Sequence, residues 1–134
     1  RKKSWPLQKF INIAKKISKN KKKPVFLIEK DNIELINKIK KEVNFALFPE
    51  SETILTGPPL VSALSTRLEK VVSIDNGIMH MIGLANIPMI VLFGPTNSRK
   101  FTPKIDKIDI LDSKLIYNSD DISQIKEEDV LSLL

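Results

Sequence analysis

Short apolar runs alternating with helix-period segments predict an α/β fold of three layers, a parallel sheet covered by helices on both faces. Three observations carry this reading. Strand-type runs of four or five residues stand at 25–28, 71–74, 89–93 and 108–111. Segments of about ten residues with helical spacing separate them. The run at 71–74 passes through Asp75-Asn76-Gly77 directly into a helix-type segment at 78–85. The chain has 134 residues, which suits one domain with one core.

The elements follow in order. Pro6 suits the first turn of a helix. Leu7, Phe10, Ile11, Ala14 and Ile17 then recur at intervals of three and four, giving one apolar stripe. Residues 19–23 break that pattern as a lysine-rich loop. The run at 25–28, bounded by Pro24 and by charges, reads as a buried strand. Asp31 or Asn32 can cap a second helix, with Ile33, Ile36 and Ile39 roughly on one side. Residues 43–56 are expected to hold short strands around 45–48 and 53–55. Gly57-Pro58-Pro59 marks a turn, and residues 60–68 form a third helix. Strand 71–74, helix 78–85 and strand 89–93 come next, the last two joined by Asn86-Ile87-Pro88. Residues 108–111 form a further strand. A closing helical region at 122–134 places Val130, Leu131 and Leu134 at helical spacing.

Composition bounds the function. The apolar fraction of 42% supports a packed core. No apolar run is long enough to cross a bilayer, so cytosolic residence is the default expectation. The absence of cysteine excludes disulfides and thiolate metal sites. The net charge of +6 is uneven, with ten Lys/Arg and no acid in residues 1–23. Residues 24–134 hold twelve basic and sixteen acidic residues. A basic block can be a solvated helix face, or it can meet nucleic acid, anionic lipid or a phosphorylated ligand. No nucleic-acid module or aromatic interleaving accompanies it, so no nucleic acid is expected as partner.

The junction at 71–80 carries the chemistry. A strand that bends at Asp75-Asn76-Gly77 into a helix aims unpaired N–H groups and the positive helix end at one point. That geometry favours an anion such as phosphate. Asp75 can accept hydroxyl protons there, although Asp-Asn-Gly is also an ordinary turn sequence. His80, the only histidine, lies in the first helical turn and can face the same anion or serve the structure alone. A metal site needs three or four ligands, so His80 is not expected to hold one. In open parallel sheets ligands lie beyond the carboxyl ends of the strands. Asp75 to Gly77 and Gly94 to Thr96 both follow such ends, one strand apart in sequence, and the two turns can share one pocket.

Three motifs in order resemble the C-terminal domain of glycosyltransferase family 9, the heptosyltransferase-like enzymes. They are Lys3-Ser4-Trp5-Pro6, Asp75-Asn76-Gly77-Ile78-Met79-His80 and Phe93-Gly94-Pro95-Thr96. The resemblance spans nearly the whole chain. It implies a Rossmann-like parallel sheet, the C-terminal, donor-binding half of a GT-B glycosyltransferase. Residues 1–134 would form one nucleotide-sugar-binding domain lacking its first strand, with the N-terminal acceptor domain outside this chain.

The site roles implied are specific. Asp75 would bind the sugar hydroxyls of the donor, while Asn76 and Gly77 present N–H groups to its diphosphate. Asn76 stands where the family usually has Thr or Ser. His80 and Thr96 would line the same pocket, and Lys3 would neutralise the donor phosphates. Trp5 is expected to pack and fix the opening loop. Glu34 would hold a ribose, although Glu29-Lys30-Asp31 replaces the usual glycine-bearing loop and a solvated helix charge explains Glu34 equally well.

The implied activity is that of an inverting, metal-independent transferase, needing no cofactor and taking a nucleotide sugar such as ADP-heptose. Its acceptor would be a lipid-linked, lipopolysaccharide-type saccharide held by the missing domain, which also carries the catalytic base. This chain alone would then be inactive, and the bacterial protein would lie in the cytoplasm, with peripheral contact at the inner membrane. A non-catalytic nucleotide-sugar-fold module that binds a partner or a membrane surface stands as the alternative. Another two-domain sugar enzyme, such as an epimerase, would lack this set of motifs.

Overall fold

The computed structural model describes residues 4–74, 76–94 and 107–134. They divide into two compact units, one made of Arg1–Pro6 with Gly57–Leu134 and the other of Leu7–Thr56.

The Leu7–Thr56 unit is helical. Helix α1 (Leu7–Lys19) buries Ile11, Ile13 and Ala14, and α2 (Ile33–Glu42) buries Ile36 and Ile39. Asn32 provides the α2 cap, its side-chain oxygen accepting the Leu35 N–H at 3.4 Å. Ile11, Ala14, Ile36, Ile39, Val43 and Phe48 form one core, and Phe26 stacks on Phe48 with ring centres 5.8 Å apart. Ile33 departs from expectation. It opens α2 beyond the buried stripe and is 62% exposed.

The strand expected at 25–28 reduces to one parallel bridge, Val25 with Leu47. The Leu47 N–H donates to the Pro24 carbonyl at 2.9 Å, and the Phe26 N–H donates to the Leu47 carbonyl at 2.8 Å. The next bond of such a ladder needs an N–H from residue 49, which is proline and has none. Pro49 instead opens the short helix α3 (Pro49–Glu52). The strand expected at 53–55 is also not formed. There the Leu55 N–H turns back to the Thr53 hydroxyl at 3.2 Å.

The other unit holds the sheet. Strands β1 (Val71–Ile74), β2 (Met89–Phe93) and β3 (Ile108–Asp112) are parallel, in the order β1-β2-β3. Ile74 lies opposite Leu92, and Phe93 opposite Asp112. All five β2 residues are buried, as a central strand of continuous apolar character requires. Helix α4 (Gly57–Leu64) begins earlier than the sequence predicts. Pro58 and Pro59 fall in its first turn, where a missing N–H costs nothing because it would have no partner there. Gly57 precedes them at φ +57°, a left-handed conformation that suits glycine. Helix α5 (Gly77–Leu84) crosses between β1 and β2 and packs on both strands and on α4.

The C-terminal region is more broken than its sequence suggests. Asp112 caps a short helix α6 (Ser113–Tyr117), Asp121 caps a 3-10 turn (Ile122–Gln124), and α7 (Glu127–Leu131) follows. The Lys70 ammonium donates to the Leu133 carbonyl at 2.5 Å and to Asp109 at 3.2 Å, tying the chain end to the sheet. Trp5 is 3% exposed and donates its indole N–H to the Ile125 carbonyl at 3.0 Å. It is the packing residue expected, and it pins the opening segment to residues 120 positions away.

Replacing Trp5 by Phe leaves that carbonyl without its partner and a gap beside it. The expected loss is about 1–3 kcal/mol of stability, read from urea unfolding followed by circular dichroism. An unchanged midpoint contradicts the anchoring role. In the helical unit, hydrogen bonds from Gln8 and Lys15 hold the Glu42 carboxyl below its ordinary range. A depressed folded value stabilises the fold above the unfolded pKa and loses that contribution as pH falls through the folded one. Wild type and Glu42→Gln are therefore expected to differ slightly near neutrality and to converge as pH falls through the depressed folded value. A constant difference across that range contradicts the linkage.

Candidate phosphate-binding junction

The site is built where β1 becomes α5. β1 ends at Ile74, and Asn76 stands at the helix N-cap in extended conformation (φ −156°, ψ −178°). Its side-chain oxygen accepts the Met79 N–H at 3.0 Å. Asparagine is among the best residues for this position, because its short carbonyl reaches one of the amides that helix geometry leaves open. The same geometry leaves the Gly77 and Ile78 N–H groups without an intrahelical acceptor. They point out of the helix at its positive end, where an anion is favoured.

The sheet brings Gly94 alongside. Because β1 and β2 are parallel and in register from Val71 with Met89 to Ile74 with Leu92, both leave the sheet at the same edge. Neighbouring strands lie about 4.8 Å apart, so the buried Gly94 after β2 emerges beside the Asn76 turn. Met79 and Ile82 are buried on the sheet side of α5, which fixes the helix axis and with it the direction of the open amides. His80 lies on the exposed surface of α5.

The remaining expected site residues divide by position. Lys3, Asp75 and Thr96 lie outside the described residues, as does Pro95. Glu34 is exposed in the first turn of α2, where the helix dipole alone favours a carboxylate. It belongs to the helical unit, whereas Asn76, Gly77 and His80 belong to the sheet unit. Among the described residues, no group of three or more His, Asp or Glu side chains could hold a metal ion. No described helix is long and apolar enough to cross a membrane.

One polar residue at this edge escapes a motif reading. Asp112 ends β3 opposite Phe93, is only 5% exposed and accepts the Lys114 N–H at 3.0 Å. Its signal in the sequence is an acid closing an apolar run with helix formers behind it, the pattern of an N-cap. The buried Ser113 hydroxyl beside it donates to the Ser119 carbonyl at 2.7 Å. These bonds fold the segment after β3 back on itself.

Comparison with known proteins places this arrangement. No curated protein matches the sequence. A glycosyltransferase family 9 structure from Veillonella parvula is similar over 98% of this chain, with a TM-score of 0.79 and 21% identity. The ADP-heptose lps heptosyltransferase II of E. coli is similar over the same share, with a TM-score of 0.77 and 21% identity. The chain spans 41% of the length of each. These likenesses establish the α/β fold with the parallel sheet of GT-B glycosyltransferases. The family model for glycosyltransferase family 9 (heptosyltransferase) matches residues 1–130. By that match over nearly its whole length, the chain belongs to glycosyltransferase family 9.

Proposed function

We propose that this chain is the C-terminal, donor-binding part of an inverting, metal-independent glycosyltransferase. The observation that carries the proposal is the Asn76-capped junction with its open amides beside Gly94. The name of the E. coli relative supplies the substrate class, a nucleotide diphosphate sugar such as ADP-heptose and a lipopolysaccharide-type acceptor. In this reading the donor diphosphate rests on the Gly77 and Ile78 N–H groups. Asp75 accepts from the sugar hydroxyls, His80 and Thr96 border the diphosphate, and Lys3 neutralises it.

The chemistry follows from that placement. A base in the part of the relatives that this chain does not span takes the proton of the acceptor hydroxyl. The hydroxyl oxygen bonds to the anomeric carbon from the face opposite the diphosphate, and the bond to the diphosphate breaks with inversion. Negative charge grows on the departing group, and fixed N–H dipoles with a lysine can meet that charge without a metal. The acceptor's lipid anchor calls for peripheral contact with a membrane at the cytoplasmic face.

Asn76 is compatible with this role despite replacing the usual Thr or Ser. All three side chains offer an oxygen to the third helical N–H, so the cap is kept while the hydroxyl is lost. Asn76→Ser and Asn76→Thr are therefore expected to melt close to wild type, whereas Asn76→Ala loses about 1 kcal/mol. An alanine variant as stable as wild type contradicts the capping role. Titration calorimetry is expected to show ADP binding, weakened about ten-fold or more by Lys3→Ala and by Asp75→Ala, a loss of at least about 1.4 kcal/mol. A folded wild-type chain that gives no heat with ADP contradicts the donor-binding reading.

A further inference from the structure

One end of the helical unit carries a phenylalanine in solvent. Phe45 is 84% exposed and sits at φ +66°. A bulky residue in the left-handed region is strained, and strain of this kind persists where something else requires it. The single parallel bridge defines its surroundings. Val25 and Leu47 run in the same direction, so the residues before each leave the bridge at the same end. Those residues are Lys21, Lys22 and Lys23 on one segment and Phe45 on the other. All three lysines are exposed, and Lys21 is likewise left-handed at φ +63°. α1 and α2 run into these two segments and contribute exposed lysines from their last turns: Lys16 and Lys19, Lys40 and Lys41.

The acids flanking the bridge follow it. Glu29 and Asp31, with Lys30 between them, follow Val25, and Glu50 and Glu52 follow Leu47, whereas Lys21, Lys22 and Lys23 precede the bridge. Glu42, the acid nearest the basic end in sequence, is bonded to Lys15 at 3.3 Å. Lysines in a last helical turn complement the helix dipole, which accounts for Lys19, Lys40 and Lys41. It does not account for the loop lysines or for a strained, solvent-facing ring at the same end of the bridge.

We propose that this end of the helical unit docks on an anionic lipid bilayer, with Phe45 inserted among headgroups that Lys21, Lys22, Lys23 and Lys41 contact. Lysines near an anionic surface and a single apolar wedge at the interface are the two ingredients of reversible peripheral binding. Single-stranded nucleic acid instead calls for several stacking rings along a groove, and this end offers one ring. The inference rests on the peripheral membrane contact proposed above and localises it. It does not depend on nucleotide binding.

The test is cosedimentation of the 134-residue chain with phosphatidylcholine vesicles, with and without phosphatidylglycerol. Binding is expected with phosphatidylglycerol, to be absent without it, and to weaken as salt rises. Phe45→Gly relieves the left-handed strain, so it is expected to melt at or above the wild-type temperature while losing about ten-fold in vesicle affinity. Lys21→Glu combined with Lys23→Glu is expected to abolish binding. Failure of the wild type to bind phosphatidylglycerol vesicles overturns the proposal. So does vesicle binding that Phe45→Gly leaves intact, or binding of a single-stranded RNA oligonucleotide in preference to the vesicles. ADP calorimetry on the same samples separates the two readings. A chain that binds ADP but not vesicles overturns the docking surface alone, and one that binds vesicles through Phe45 but not ADP overturns the donor site alone.

Discussion

The hydrogen bond from the Met79 amide to the Asn76 side chain decides where α5 starts, and the geometry of the site depends on that. An uncapped helix frays in its first turn, and frayed amides no longer share a direction. Met79 holds the junction twice, because its N–H takes the cap while its fully buried side chain packs in the core. The cap is thus coupled to the core beneath it. β2, buried along its whole length, is the platform that keeps the end of β1 and Gly94 side by side. A phosphate cradle made of backbone needs that rigidity, since amides that must first be ordered bind an anion more weakly.

This coupling also gives physical content to the departure from the family's motif at Asn76. Thr or Ser at the cap offers a hydroxyl, and asparagine offers an amide oxygen of similar reach. What the fold requires is an acceptor for the third helical amide, and Asn76 supplies it. The substitution is therefore neutral for the junction, and its consequences for a ligand are confined to the hydroxyl that is gone.

The elements most legible in the sequence are those that burial defines by itself. β2, five apolar residues between Pro88 and Gly94, has the limits expected, and β1 does as well. α1 shows its stripe plainly because Leu7, Ile11 and Ala14, each about a turn apart, meet one core. Misread segments turn on single backbone atoms. Pro49 lacks the N–H that would extend the Val25–Leu47 bridge into a ladder. Pro58 and Pro59 look like a turn, yet a helix start has no use for their missing donors. α6 is five residues long, too short for periodicity to register, and only the Asp112 cap announces it. The site divides in the same way. Asn76, Gly77 and His80 follow from one strand–turn–helix pattern, while Glu34 lies on a different unit that no local pattern relates to them.

The central claim concerns amides, so amides are where it is best tested. An NMR titration of the isotopically labelled chain with ADP reports each N–H separately. The account expects the largest, saturable shifts at Gly77 and Ile78, with Gly94 next and the helical unit's α1 unmoved. Saturable shifts clustered elsewhere, with Gly77 and Ile78 unchanged in a folded sample, contradict it.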